Sequence, residues 1–365
     1  MTSQLTRRQF LGLAGGAAGA ATAGTLLWSR LLDDQVRNST ITSSSSPAHN
    51  RVLVVVECQG GNDGLNTLVP AGGRYRDERP TLSILEEELV PLQGEADYSF
   101  HPALAPLAPV WAAGQLGAFQ GVGLHGQTLS HPAATDIWRA GGGVPGGSSW
   151  LGRWLDATLG DEQEPLRAIA IRTDTGMLAA ERALSTVIMN PDSFTLNIPP
   201  GPSRVAEAVV AAFEATSYPL ASDPWFRAVQ EGIPPTLDAV EVLAQATAPP
   251  DSSVSNSPAE ERRFSSSLDT AARIIDLDVG TKVLVIGADG FDTHSAQANR
   301  HQALLSDLGT GLSRFLDSME EQGRADDVLV LTTSEFGRRV AENGSAGSDH
   351  GAASMALVLG GAVNR

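Results

Sequence analysis

The sequence predicts an α/β fold: a mainly parallel central sheet flanked by helices. Apolar runs of strand length recur along the chain, helical stretches separate them, and the longest helical stretch carries one apolar stripe. Runs that are apolar at nearly every position belong to strands covered on both faces. Strands alternating with helices make a parallel sheet, because a parallel neighbour is reached only through a crossover.

In order, the runs are RVLVVVEC (51–58), LGAFQGVG (116–123), RAIAI (167–171), KVLVIG (282–287), DVLVLTT (327–333) and SMALVLG (354–360). The clearest helix spans 301–320, where Leu304, Leu305, Leu308, Leu312, Phe315, Leu316 and Met319 share a face. Residues from about 160 to 260 are less regular and read as an insertion on one domain running from 51 to 365. Within it, ATAPPDSSVSNSPAE (246–260) reads as an exposed loop. Residues 31–50 read as a linker, since NSTITSSSSPAHN (38–50) has too little apolar content to fold.

At the amino terminus, Arg7 and Arg8 precede a glycine- and alanine-rich run in TRRQFLGLAGGAAGAATAGTLLW. This matches a twin-arginine export signal over residues 1–30, and the run is too weakly apolar for a stable membrane span. The expectation is an exported protein, periplasmic, cell-surface or extracellular, with the twin-arginine export machinery as a partner.

The net charge of −17 repels nucleic acid and anionic lipid, and no basic stripe offsets it. Lys282 is the only lysine, which leaves Schiff-base chemistry and a phosphate-gripping lysine almost without candidates. One cysteine, Cys58, excludes an internal disulfide framework and a thiolate cluster, and it reads as a small buried hydrophobe. No G-x-G-x-x-G follows the first strand, which argues against a dinucleotide enzyme.

In parallel sheets, ligands bind beyond the carboxyl ends of the strands. There the chain places Asp63 in QGGNDGLNT, Ser130 in HGQTLSHPAATDIW, Asp289, Asp292 and His294 in GADGFDTHSA, and Glu335 and Arg338 in SEFGRR. Asp349 and His350 come just before the sixth strand, in GSDHGAAS. Each has a plainer reading. Asp63 suits a turn, Ser130 an N-cap, and Asp292 or Thr293 the cap of the next helix. Glu335 suits an ion pair with Arg338 or Arg339. His101 reads as a turn residue and His301 as part of a helix face. Taken together, acids and histidines concentrated on one edge suit a divalent cation such as zinc, calcium, magnesium or manganese. A serine at a helix N-terminus beside such an ion is a nucleophile in waiting. Arg338 suits a bidentate grip on an anionic substrate.

The motifs TRRQFL, GGNDGLNTLVP, YRDERPTLSI, HPALAPL, SHPAATDIW, GFDTHSAQ, SEFGRRVAENGSAGSDHGAAS and LGGAV together resemble an exported bacterial family, the domain-of-unknown-function family numbered fifteen-oh-one. The resemblance spans most of 51–365. It implies an alkaline phosphatase-like or sulfatase-like fold with divalent-metal ligands at the strand ends. It further implies Asp63 as the first-strand ligand and Ser130 as nucleophile. Asp289 or Asp292 with His294 would form a ligand pair, and His350 a late ligand. Where that superfamily carries Asp-His, this chain has Glu335-Phe336, and phenylalanine cannot ligate. Relatives of that family continue beyond LGGAVNR, so a truncated carboxyl terminus is also expected. The reading that follows is a metal-dependent hydrolase of phosphate or sulfate esters acting on an anionic ester. The alternative is a non-catalytic protein binding a cell-surface polymer on the same scaffold.

Overall fold

The computed structural model describes residues 51–124, 126, 128–160, 164–190, 203–218, 222–247 and 263–364. The export signal, the linker and most of the 246–260 loop lie outside the described residues.

Strand β1 (Val52–Cys58) leads into the short helix α1 (Gly64–Thr67) and into α2 (Gly73–Glu78). Short strands β2 (Leu68–Pro70), β3 (Val90–Pro91) and β4 (Tyr98–Phe100) form a small sheet in the order β2-β4-β3. Helix α3 (Ala108–Ala112), strand β5 (Leu116–Gly123), helices α4 (His131–Ala140) and α5 (Trp150–Ala157), and strands β6 (Ala168–Ile171) and β7 (Thr186–Ile188) follow. Then come α6 (Ser203–Ala215), α7 (Pro224–Thr247), α8 (Arg263–Asp276), β8 (Val283–Ala288), α9 (Gln297–Glu321) and β9 (Val328–Thr333). A hairpin, β10 (Gly337–Glu342) with β11 (Ser348–Gly351), precedes the last strand, β12 (Ala353–Leu359).

The main sheet has seven strands in the order β5-β12-β9-β1-β8-β6-β7. Strand β1 pairs in parallel with β8 and β9, Val54 lying opposite Leu284 and Val330. Strands β6 and β7 continue the parallel run. Strand β12 is antiparallel to both β9 and β5, so every other strand of the sheet ends on the same edge. The expected mainly parallel sheet flanked by helices is present.

Val54, Val55 and Val56 are all fully buried, although successive side chains point to opposite faces. Helices therefore cover both sides. On one face α9 presents Leu305, Leu308, Leu312, Phe315 and Met319 at helical spacing, alongside Leu268 and Ile275 of α8. On the other, Leu151 and Leu155 of α5 pack against Val55, Val283 and Val285. Each such buried side chain contributes about 1.5–3 kcal/mol. The stretch read as an insertion is partly built into this core. Strands β6 and β7 extend the main sheet, and Leu243 and Ala246 of α7 join the larger cluster.

Candidate metal centre

Five chain segments meet at the carboxyl edge of the sheet. The β1 exit turns through Gly60, with φ +115°, where a Cβ would overlap the backbone nitrogen of Asp292. Glycine here lets the β1 exit lie directly against the β8 exit that carries Asp292 and His294. Helix α4 supplies His131 as its first residue, with Pro132 in the first turn, where the missing N–H costs nothing. The β9 exit brings Glu335 and Phe336, and the hairpin brings Asp349 and His350, with His350 opposite Arg338.

Three imidazoles converge on one carboxylate. His294 Nε2 and His350 Nε2 lie 3.1 and 3.2 Å from Asp292 Oδ1 and 2.9 Å from each other. His131 Nε2 lies 3.5 Å from Asp292 Oδ2, too far for a hydrogen bond, and is a buried nitrogen without a hydrogen-bond partner. The opposite nitrogens are all engaged. His350 Nδ1 donates to the Leu129 carbonyl at 2.9 Å, His131 Nδ1 to Glu335 Oε1 at 2.7 Å, and His294 Nδ1 to Asp349 Oδ1 at 3.1 Å. A carbonyl or an ionised carboxylate only accepts, so Nδ1 carries the proton in each neutral ring, and the network fixes the tautomer. Each Nε2 then presents a lone pair. Three lone pairs aimed at a carboxylate repel one another unless a cation sits among them.

The charges agree. Burial pushes Asp292's carboxyl up, but the hydrogen bond and charge of Arg338 outweigh it and bring the group down to about 2. Asp349 is held below the usual carboxylate range by hydrogen bonds from Asn343 and His294. Asp292, Glu335 and Asp349 against the one guanidinium of Arg338 leave two negative charges, which a divalent ion neutralises. Tetrahedral ligands about 2.0–2.1 Å from an ion stand about 3.3 Å apart, close to the spacing of these donor atoms. His131, Asp292 and His350 offer ligand atoms all within 4.8 Å of one another, and His294 Nε2 adjoins them.

Of the residues singled out in the sequence, Asp292, His294 and His350 therefore meet. Glu335 and Asp349 stand one layer out, gripping ring nitrogens; Glu335 also accepts from Gly60 N at 2.9 Å. Ser130 sits at the head of α4, next to His131, with an exposed side chain that makes no capping bond. Three expectations do not fit this geometry. Asp63 is buried away from the cluster, caps α1 by accepting from Asn66 N, and pairs with Arg79 at 2.6 Å. Its carboxylate also accepts from Gln297. Asp289 is exposed, and no hydrogen bond or ion pair joins it to the cluster among the described residues. Arg338 is buried and spends its donors on the carbonyls of Gly60, Gly61, Phe291 and Ser348 and on Asp292, so it fastens loops and does not face solvent.

His131, which the sequence sets beside Ser130, joins the cluster without having been among the expected ligands. Its signal was its place between an expected nucleophile and a helix-starting proline. Phe336 is fully buried, with ring centroids 4.8 Å from His131 and 4.5 Å from His350. It packs the side of the cluster away from solvent.

Residues 234–365 match the family model described as Protein of unknown function (DUF1501), a segment that holds Asp292, His294, Glu335, Asp349 and His350 but not Ser130 or His131. No curated protein matches the chain in sequence. Among solved structures, the lipoteichoic acid synthase LtaP of Listeria monocytogenes is similar at 10% identity and a TM-score of 0.36, over 90% of this chain and 71% of that one. The zinc complex of the C-terminal periplasmic domain of EcEptC from Escherichia coli is similar at 8% identity and a TM-score of 0.41, over 88% and 76%. A protein in the alkaline phosphatase superfamily from Vibrio parahaemolyticus is similar at 9% identity and a TM-score of 0.37, over 90% and 67%. No helix among the described residues is long and apolar enough to cross a membrane.

Proposed function

We propose that this protein is an exported, metal-dependent hydrolase of phosphate or sulfate esters. The convergence of three imidazole Nε2 atoms on Asp292, beside Ser130 at the start of α4, carries this reading. His131, Asp292 and His350 would hold the ion, with His294 as a fourth ligand. A divalent ion bound there supplies Lewis acidity, lowering the pKa of a neighbouring hydroxyl and offsetting charge on an anionic ester.

The chain's own residues supply position. Ser130 Oγ forms the new bond to phosphorus or sulfur, the ester oxygen leaves with a proton, and water then releases the acid. The amino end of α4 favours negative charge at that serine. Arg338 holds Asp292 ionised and fixes the β8 exit against the β1 exit. The acidic surface of the chain repels an anionic substrate, so its charge has to be met locally at this centre. Export rests on Arg7-Arg8 and the apolar run after them.

A second reading, a non-catalytic cell-surface protein that binds a polymer through the same ion, is favoured by Phe336 standing beside the cluster. Aryl phosphate and aryl sulfate esters, offered to the full-length exported protein loaded with divalent metal, separate the two. The hydrolase reading expects turnover that Ser130→Ala abolishes without releasing metal. Metal-loaded wild-type protein that hydrolyses neither ester supports the second reading.

A further inference from the structure

We infer that the cluster selects a single borderline cation of the zinc class over calcium or magnesium, with Glu335, Asp349 and the Leu129 carbonyl as outer partners that set this choice. The inference rests on the cation reading above. Calcium takes six to eight oxygen ligands, and magnesium takes an octahedron of oxygens. Here the convergent donors are three ring nitrogens and one carboxylate that already accepts from Arg338 at 2.6 Å. Imidazole nitrogen suits zinc and its neighbours in the first transition row.

The outer partners reinforce that preference. An imidazole whose Nδ1–H is held by a carboxylate or carbonyl is fixed in tautomer and orientation and becomes a better donor at Nε2. All three rings have such a partner, one each from the β9 exit, the hairpin and the segment before α4. Carboxylates that would suit a hard ion as direct ligands are used instead to aim nitrogens.

The same geometry limits the site to one ion. Glu335 Oε1 is shared between His131 and Gly60 N, and Oε2 lies 3.4 Å from Ser334 Oγ. Asp63, the remaining carboxylate expected as a ligand from the first strand, is locked to Arg79. Phe336 fills the space next to His131 and His350 where a further ligand would stand.

Calorimetric titration of the chelator-stripped full chain with Zn²⁺, Co²⁺, Mg²⁺ and Ca²⁺, each alone, tests this. The expected result is one Zn²⁺ per chain, bound about 100-fold or more tighter than Mg²⁺ or Ca²⁺. Bound Co²⁺ should show the visible absorption of a low-coordinate site. Glu335→Gln and Asp349→Asn should each weaken Zn²⁺ about 10- to 100-fold while the unfolding temperature of the stripped protein stays the same. Comparable affinity for Mg²⁺ or Ca²⁺, two Zn²⁺ per chain, or no effect of either variant overturns the inference and leaves the hydrolase reading standing. Failure to bind any of the four ions overturns both.

Discussion

The Nε2 atoms of His294 and His350 face each other at 2.9 Å, while each ring spends its proton on the opposite side, toward Asp349 and the Leu129 carbonyl. In the tautomer that these partners fix, with no cation or proton between the rings, the pair is a repulsive contact held by the surrounding fold. Sites arranged for function commonly cost stability in this way. His294→Ala should therefore abolish tight divalent binding, yet leave the chelator-treated protein as stable as the wild type or slightly more so. Thermal unfolding with and without chelator reads both effects. A stripped variant several degrees less stable than stripped wild type would mean that the two rings attract each other, which removes the case for an ion between them.

Asp63 and Arg79 form a fully buried pair at 2.6 Å, with Arg79 also donating to the carbonyls of Arg339 and Val340. Burial alone would raise the Asp63 carboxyl, but Arg79 and Gln297 hold it below the usual carboxylate range. Removing one partner of such a pair leaves an uncompensated buried charge. Arg79→Met should thus cost about 3–5 kcal/mol. Asp63→Asn keeps the shape and most hydrogen bonds, and it should leave metal stoichiometry unchanged. Loss of bound metal in Asp63→Asn, with the unfolding midpoint intact, would restore Asp63 to the ligand set.

Phe336 packs against His131 and His350, and a Cβ on Gly61 would overlap its ring. The β1 exit, α4 and the hairpin thus rest on one side chain. Phe336→Ala should destabilise the protein by about 3–5 kcal/mol, the range for emptying an aromatic site in a core. It should also weaken metal binding, because His131 and His350 lose the wall that aligns them. Phe336→Leu, which fills more of the space, should recover part of both losses in denaturant titration and metal binding.

The sheet was legible because burial on both faces leaves a plain mark in sequence. The six long apolar runs all became strands of the main sheet. Strand β7, the small sheet and the β10–β11 hairpin left no such mark, since strands of two to six residues with mixed exposure show little periodicity. The site was legible only in part. Asp292, His294 and His350 stood out as rare residue types at strand exits. Arg338 and Asp63 looked equally functional, and nothing local shows that their partners are backbone carbonyls in one case and Arg79, sixteen positions away, in the other. His131, beside Ser130 at the start of α4, was not among the expected ligands, because its partner, Glu335, lies 204 residues on.

His301 on α9 gives the protein a dependence on acid that is separate from the metal ligands. Its ring is fully buried against Phe291 and His101, with Nε2 2.9 Å from Asn62 Oδ1. Burial lowers its pKa to about 4; Asp63 opposes that shift, whereas His101, Arg79 and Arg338 add to it. The folded ring stays neutral down to that value, but an unfolded chain takes up the proton near 6.5. Between those two values the unfolded state binds more protons, so stability falls as pH is lowered from about 6.5 to about 4 and levels off below. At about 1.4 kcal/mol per unit, the loss from this one group is about 3 kcal/mol. Chelator-treated wild type should therefore unfold at a lower urea concentration at pH 5 than at pH 7. His301→Gln keeps a polar side chain that cannot take up a proton in this range, and it should show a shallower dependence. Equal slopes for the two proteins would place the acid sensitivity elsewhere.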